Sequence, residues 1–351
     1  MSEKQLVIGN LQVRIPVIQG GMGVGVSLSG LAGAVAAAGG VGVISTAQIG
    51  WREPDFATNP IACNLRAIGK EIAKARDIAK DGILGVNIMV ATRQYEEYVK
   101  AAVKAGIDLV ISGAGLPMNL PELVAGTATK IVPIISGRKA MEVITKYWLK
   151  KYNRLPDAVI VEGPRAGGHL GFTKEELETY TVESYDQEIS NIISYACELE
   201  KQHHTSIPVV VAGGVYERAD LDHYRQMGAA GVQLGTRFVT TRECDASDAY
   251  KQAYIDAKEE DIVIVKSPVG MPGRAIHNEF LDRVKAGERF MNGCKQCIRT
   301  CKPAEIPYCI TQALINAVEG RIKEGLIFCG SNASRAHKIE TVQEIMEEFT
   351  K

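Results

Sequence analysis

"AVIVEGPRAGGHLGF", residues 158–172, sets a short apolar run directly before a glycine-rich loop that also carries Glu162, Arg165 and His169. Four consecutive apolar residues ended by a loop suit a strand buried on both faces, as in a parallel sheet covered by helices. The loop is poor in side chains and packs badly against protein. Its use is to bring backbone close to something that is not protein.

The same unit recurs. Seven further runs rich in Val, Ile and Leu end at Gly, Ser or a turn: "PVIQG" (16–20), "VGVIS" (41–45), "ILGVNIM" (83–89), "DLVISG" (108–113), "KIVPIIS" (130–136), "IPVVVAGG" (207–214) and "GVQLGTRF" (231–238). Between them lie helical candidates such as "SLSGLAGAVAAAG" (27–39) and "QYEEYVKAAVKAG" (94–106), the second with apolar residues near helical spacing and a glycine stop. Eight strand–helix units predict an α/β fold of the (β/α)8 TIM-barrel type over residues 1–243, with a doubly wound open sheet as the alternative. Two stretches are long for crossovers. Residues 49–82 read as a loop plus an extra helix over the barrel mouth, and residues 173–189 as an acidic surface insertion. Residues 244–351 read as an additional helical, cysteine-bearing region that packs on or completes the barrel.

Composition narrows the partner classes. Among 351 residues, 40 basic and 41 acidic side chains leave a net charge of -1, which gives no footprint for nucleic acid or an anionic membrane. The N-terminus lacks a signal-peptide apolar stretch, and no run approaches the roughly 18 apolar residues of a membrane span. A cytoplasmic enzyme acting on a small molecule is the expectation, with homodimer formation left open. Eight cysteines are too sparse for a disulfide scaffold.

In such a barrel the loops at the C-terminal ends of the strands build the active site. They carry "QGGMG", the amide Asn87 inside "GVNIMV", the loop with His169, Gly213 and Gly214, then Gly235 and Thr236. Glycines after the last two strands occupy the usual phosphate-holding place, where backbone N–H groups and a helix N-terminus face the anion. Asn87, like Gln19 and Gln233 at strand ends, either satisfies a ligand's ring or makes a structural hydrogen bond. His169 has the unperturbed pKa for proton transfer near neutrality. Arg165 either holds an anionic substrate or caps a surface carboxylate.

"QGGMGVGVSLSGLAGAVAAAGGVGVI", "GVNIM", Ser112 to Pro117, "EGPRAGGHLG", "VVVAGGV" and "VQLGTRFVTTRE" together resemble the nitronate monooxygenase (2-nitropropane dioxygenase) family, which includes the FMN-dependent enoyl-ACP reductase II. The resemblance runs in order over residues 16–243, with fainter echoes at "GMPGRAI" and "GLIFCGS". It implies an FMN-binding barrel. Gly20, Gly21, Met22 and Asn87 would line the flavin ring, Gly167 and Gly168 would lie beside it, and Gly213, Gly214, Gly235 and Thr236 would hold the phosphate. Glu162 and Gln233 belong to the same cofactor wall, and His169 falls on the family's catalytic histidine. Arg165 departs from relatives that carry an acidic or neutral residue there, so the substrate's charge differs from theirs.

The barrel leaves "CKQCIRTCKPAEIPYC" unexplained. Cys294, Cys297, Cys301 and Cys309 follow a C-x2-C-x3-C-x7-C spacing that suits zinc or an iron–sulfur cluster, or else four reduced core thiols, with Cys329 as a substitute ligand. Three functions remain open: oxidation of a nitronate or nitroalkane with O2, NAD(P)H-dependent reduction of an enoyl thioester, and a flavin-binding electron-transfer or docking module.

Overall fold

The computed structural model describes residues 5–350 apart from residue 292. All eight apolar runs form strands: β1 (Val17–Gln19), β2 (Val41–Ser45), β3 (Ile83–Met89), β4 (Leu109–Gly113), β5 (Lys130–Ile135), β6 (Val159–Glu162), β7 (Val209–Ala212) and β8 (Gly231–Leu234). Each pairs in parallel with the next, and β8 pairs with β1 to close a barrel in sequence order. This is the (β/α)8 TIM barrel. β-Branched residues dominate because both faces are buried. Ile18, Val43, Ile111, Val132, Ile160 and Val210 fill the interior, while the alternate residues pack against the helical ring.

An N-terminal hairpin, Leu6–Ile8 with Leu11–Val13, adds Leu6, Ile8 and Val13 to that interior cluster. Gly9 in its turn faces Lys130 at the start of β5, so the hairpin closes the end of the barrel where the strands begin. The open end is therefore the one at which the strands finish.

Three sequence expectations change here. The helix read as an extra element in residues 49–82 is α2 (Pro60–Ala79), the crossover from β2 to β3, which buries Cys63, Ala67, Ile68, Ile72 and Ala75. It packs on α1 (Ser29–Ala37), where glycine permits close approach, and only the preceding loop reaches the mouth. Half of the acidic stretch 173–189 is likewise crossover. After a short helix with no buried residue, Lys174–Thr179, the chain enters the 22-residue helix Val182–His203, whose Tyr185 and Ile189 are buried.

The region after residue 243 also holds a small antiparallel sheet besides its helices, with β9 (Ile262–Lys266), β10 (Pro272–Ile276) and β11 (Ile327–Phe328). The barrel's own loop joins it: Gly168 and His169 pair with Arg274 and Gly273 of β10. Helix Val342–Glu348 returns to the barrel wall, packing Ile345, Met346 and Phe349 against Val17, Leu31 and Val35. No helix among the described residues is long and apolar enough to cross a membrane.

Two glycines test the packing in opposite directions. A Cβ on Gly42 would lie 1.7 Å from the Ala32 carbonyl oxygen of α1, whereas one on Gly69 in α2 meets nothing within 4 Å. Gly42→Ala should cost about 1–3 kcal/mol through overpacking. Gly69→Ala should add about 0.5–1 kcal/mol, because it removes glycine's backbone entropy from a helix interior. Urea unfolding of both variants checks the pair, and equal signs would refute the packing described.

Candidate active site

At the open end the strand termini and the C-terminal region enclose a cavity of about 270 Å³. Its wall contains Gly20, Gly21 and Met22 after β1, Asn87 in β3, Glu162 at the end of β6, and Gly167, Gly168 and His169 beyond it. Gly213 and Gly214 after β7, Gln233 in β8, and Gly235 and Thr236 after it complete the ring. The structure thus gathers round one space every residue singled out as cofactor-facing. Gln19 is placed elsewhere. Its side chain is fully buried, accepts from Val43 N at 2.9 Å and donates to Gly20 O, so it joins β1 to β2.

Glycine here is a steric requirement. A Cβ on Gly21 would sit 2.3 Å from Cβ of Asn87, and one on Gly167 would lie 2.6 Å from the Cys329 carbonyl. Gly213 has φ +93° and meets the Gly163 carbonyl at 2.9 Å on the Cβ side. The loops interlock backbone to backbone, which leaves a smooth wall of peptide planes.

His169 is held from the C-terminal region. Its two-residue strand is zipped to β10, its Nε2 is 2.7 Å from Oγ of the buried Ser267, and its ring meets Phe328 edge-on at a centroid separation of 4.9 Å. Burial disfavours the imidazolium and lowers its pKa to about 4. Glu162 lines the cavity, and burial raises its carboxyl to about 7. Arg274 of β10 clamps the intervening loop by donating to the carbonyls of Ala166 and, at 3.0 Å, Pro164.

At the other side of the cavity the turn at residues 330–332 packs on the ends of β7 and β8. Gly330 N donates to Thr236 Oγ1 at 2.9 Å, and Asn332 Nδ2 donates to the Gly214 carbonyl at 2.7 Å. Arg165 reaches Asn332 Oδ1 at 3.2 Å, on the exposed edge of this corner. Ser331 lines the same cavity, and its buried hydroxyl oxygen has no hydrogen-bond partner among the described residues. Sequence reading missed Ser267, Arg274, Ser331 and Asn332. Arg274 had a signal in "GMPGRAI" and the last two in "IFCGSN"; Ser267 had none.

Of the four clustered cysteines, Cys297 lines the cavity; Cys294 is exposed, Cys301 half-buried and Cys309 buried. All are free thiols, and among the described residues no group of three or more His, Cys, Asp or Glu side chains is arranged to hold a metal ion. The expected zinc or iron–sulfur site therefore lacks the donor geometry it needs. Cys329 also lines the cavity, and burial pushes its thiol up to about 12.

A family model described as "Nitronate monooxygenase" matches residues 4–351. The chain belongs to the nitronate monooxygenase family. It is 28% identical over 307 residues to a "Probable nitronate monooxygenase" of Staphylococcus saprophyticus, covering 79% of this chain and 80% of that one. It is 26% identical to "(3aS,4S,5R,7aS)-5-hydroxy-7a-methyl-1-oxo-octahydro-1H-indene-4-carboxyl-CoA dehydrogenase" of Mycobacterium tuberculosis, over 78% of this chain and 66% of that protein. Among solved structures, FabK from Thermotoga maritima superimposes with a TM-score of 0.72 at 25% identity, covering 96% of this chain and 93% of FabK. As a member of the nitronate monooxygenase family, the protein is an oxidoreductase of a flavin-dependent class.

The two buried ionisable groups make opposite pH predictions. His169 binds a proton less readily folded, with a pKa of about 4, than unfolded, at about 6.5, so its contribution to stability is lost as pH falls from about 6.5 to 4. Glu162 binds its proton more readily when folded, so its contribution is lost as pH rises from about 4.5 to 7. Imidazole resonances of the cofactor-free protein should place the His169 titration near 4, and a midpoint above 6 would refute its burial. Glu162→Gln should match wild type in Tm near pH 4.5 and exceed it above pH 7.

Proposed function

We propose that the cavity binds FMN and that the enzyme oxidises alkyl nitronates or nitroalkanes with O2. The observation that carries this reading is one histidine, His169, held by Ser267 and β10 beside a glycine-walled cavity at the strand ends. Gly20, Gly21, Met22, Asn87, Gly167 and Gly168 would lie against the flavin ring, with the Asn87 amide and the Glu162 carboxyl meeting its polar edge. Gly213, Gly214, Gly235 and Thr236 would take the phosphate, and the unpartnered Ser331 hydroxyl supplies a donor that fits it. When bound, the cofactor accepts electrons from the substrate and passes them to O2.

The chain's own contribution is positional and protonic. With Nε2–H donating to Ser267 Oγ, Nδ1 is the ring nitrogen left to take a proton from the carbon next to a nitro group. Burial keeps that imidazole neutral at pH 7 and therefore ready to accept. In this reading residues 1–243 supply the cradle, while residues 244–351 orient the histidine and close the cavity.

A second reading is NAD(P)H-dependent reduction of an enoyl thioester. It is favoured by the apolar part of the wall, where Met89, Ile298, Ile310, Leu314 and Phe328 offer more hydrocarbon contact than a small nitroalkane uses. The FabK likeness and the indene-4-carboxyl-CoA dehydrogenase relative, whose name carries a CoA thioester, support it in the same direction.

Anaerobic mixing of the FMN-loaded protein with an alkyl nitronate, and separately with NADPH or NADH, discriminates the two. The first reading expects the nitronate alone to bleach the yellow absorbance rapidly, and His169→Ala to abolish it. Bleaching by the nicotinamide alone would establish the reductase reading, and failure to bind FMN would sink both. Ser331→Ala should raise the Kd for FMN about tenfold or more, as expected for losing a hydrogen bond to a charged group; an unchanged Kd would remove Ser331 from the phosphate site.

A further inference from the structure

The cysteine-bearing segment is docked on the cavity rather than trailing from it. Thr92 and Ile298 form an antiparallel bridge, Arg93 N donates to the Cys297 carbonyl at 3.1 Å, and Arg299 N donates to the Ala91 carbonyl at 3.1 Å. These contacts fix Cys297 and Ile298 into the wall beside the loop that follows β3. Three residues earlier the chain is at the surface, with Cys294 exposed. One thiol of a C-x2-C pair thus faces solvent and the other faces the cavity.

The surroundings suit thiol chemistry better than metal binding. Gln296, between the two cysteines, adopts a left-handed φ of 52°, and its N–H approaches Cys294 Sγ at 3.4 Å. Burial raises the Cys301 thiol, and negative charge on Cys297, Cys294 and Cys309 raises it further, so the four sulfurs lie within electrostatic reach of one another. Yet no three of them are arranged to hold a metal ion among the described residues.

We infer that Cys294 and Cys297 are a redox-active dithiol that links the oxidation state of the surrounding thiol pool to the wall of the cofactor cavity. The co-reactant is a low-molecular-weight disulfide. Cys294, after losing its proton to solvent, attacks one sulfur of that disulfide, forms a mixed disulfide and expels one thiolate. Cys297 loses its proton, attacks the Cys294 sulfur and expels the second. Two protein thiols are oxidised by two electrons, one external disulfide is reduced to two thiols, and the balance closes without a metal or the flavin. Forming the bond replaces the Cys297 thiol, which Thr311 hydrogen-bonds in the cavity wall, with a disulfide sulfur, so the chemistry of the wall changes with oxidation. The inference does not depend on which substrate the cavity takes.

The experiment uses the full-length protein, reduced and desalted without oxygen, then equilibrated with oxidised glutathione, alkylated and digested with trypsin. Lys295 lies between the two cysteines, so cleavage there separates them onto different peptides. Loss of two of the eight thiols, with the two peptides joined, is the expected result. Cys297→Ser should instead trap glutathione on Cys294, and Cys294→Ser should react far more slowly, since Cys297 is half-buried. A disulfide between any other pair, or no loss of thiols, overturns the assignment. So does stoichiometric zinc or iron in anaerobically purified protein together with thiols that react only after chelation.

Discussion

The site depends on one small piece of β-pairing, Gly168 and His169 against Arg274 and Gly273. A glycine-rich loop after a barrel strand has no intrinsic reason to hold a single conformation, since each glycine adds backbone freedom that folding must remove. Pairing the loop to β10 satisfies its backbone groups in a ladder. The same strand then contributes Arg274, whose guanidinium ties down the carbonyls of Pro164 and Ala166. Histidine orientation follows, because the turn between β9 and β10 brings Ser267 to the ring nitrogen. His169 comes from the barrel, and its geometry comes from the region after it.

That dependence explains why the C-terminal region contributes to the cavity in several places. The barrel alone supplies peptide planes at the strand ends but little to close the space above them. Phe328 and Cys329 lie at and beside β11, and the turn at residues 330–332 bonds to Gly214 and Thr236 at the ends of β7 and β8. Close approach is possible only because Gly167 lacks a side chain where Cys329 passes. Glycine loop and C-terminal turn are thus complementary surfaces.

The barrel was legible in the sequence because strands buried on both faces leave an unmistakable trace, apolar runs of four to seven residues ended by turn residues. The cavity wall was legible for a related reason, since glycines and single polar residues at the ends of such runs mark the open end of a barrel. What escaped was everything set by long-range pairing. The crossover helix α2 was taken for an extra element because its preceding loop lengthened the segment, and periodicity does not say what a helix packs against. Ser267 carries no local signal at all. A serine becomes a positioning or binding residue only when a sheet some 98 positions away in sequence from His169 delivers it. The two-residue strand at 168–169 is too short for any alternation to be read.

The electrostatics of the cavity follow from the same enclosure. Burial acts on whichever form of a group is charged, so it drives the imidazole of His169 and the carboxyl of Glu162 in opposite directions on the pH scale, and both toward neutrality. Near pH 7 the histidine is uncharged and the glutamate is close to half-protonated, able to act as donor as well as acceptor. A space with so little fixed charge suits a flat, neutral ring system whose edge alternates donors and acceptors. Of the two guanidinium groups at this loop, that of Arg274 is tied to backbone carbonyls, while Arg165 sits on the exposed edge beside Asn332, near the loops after β7 and β8. The histidine stays neutral because burial disfavours the imidazolium, and the group hydrogen-bonded to its Nε2 is the uncharged hydroxyl of Ser267.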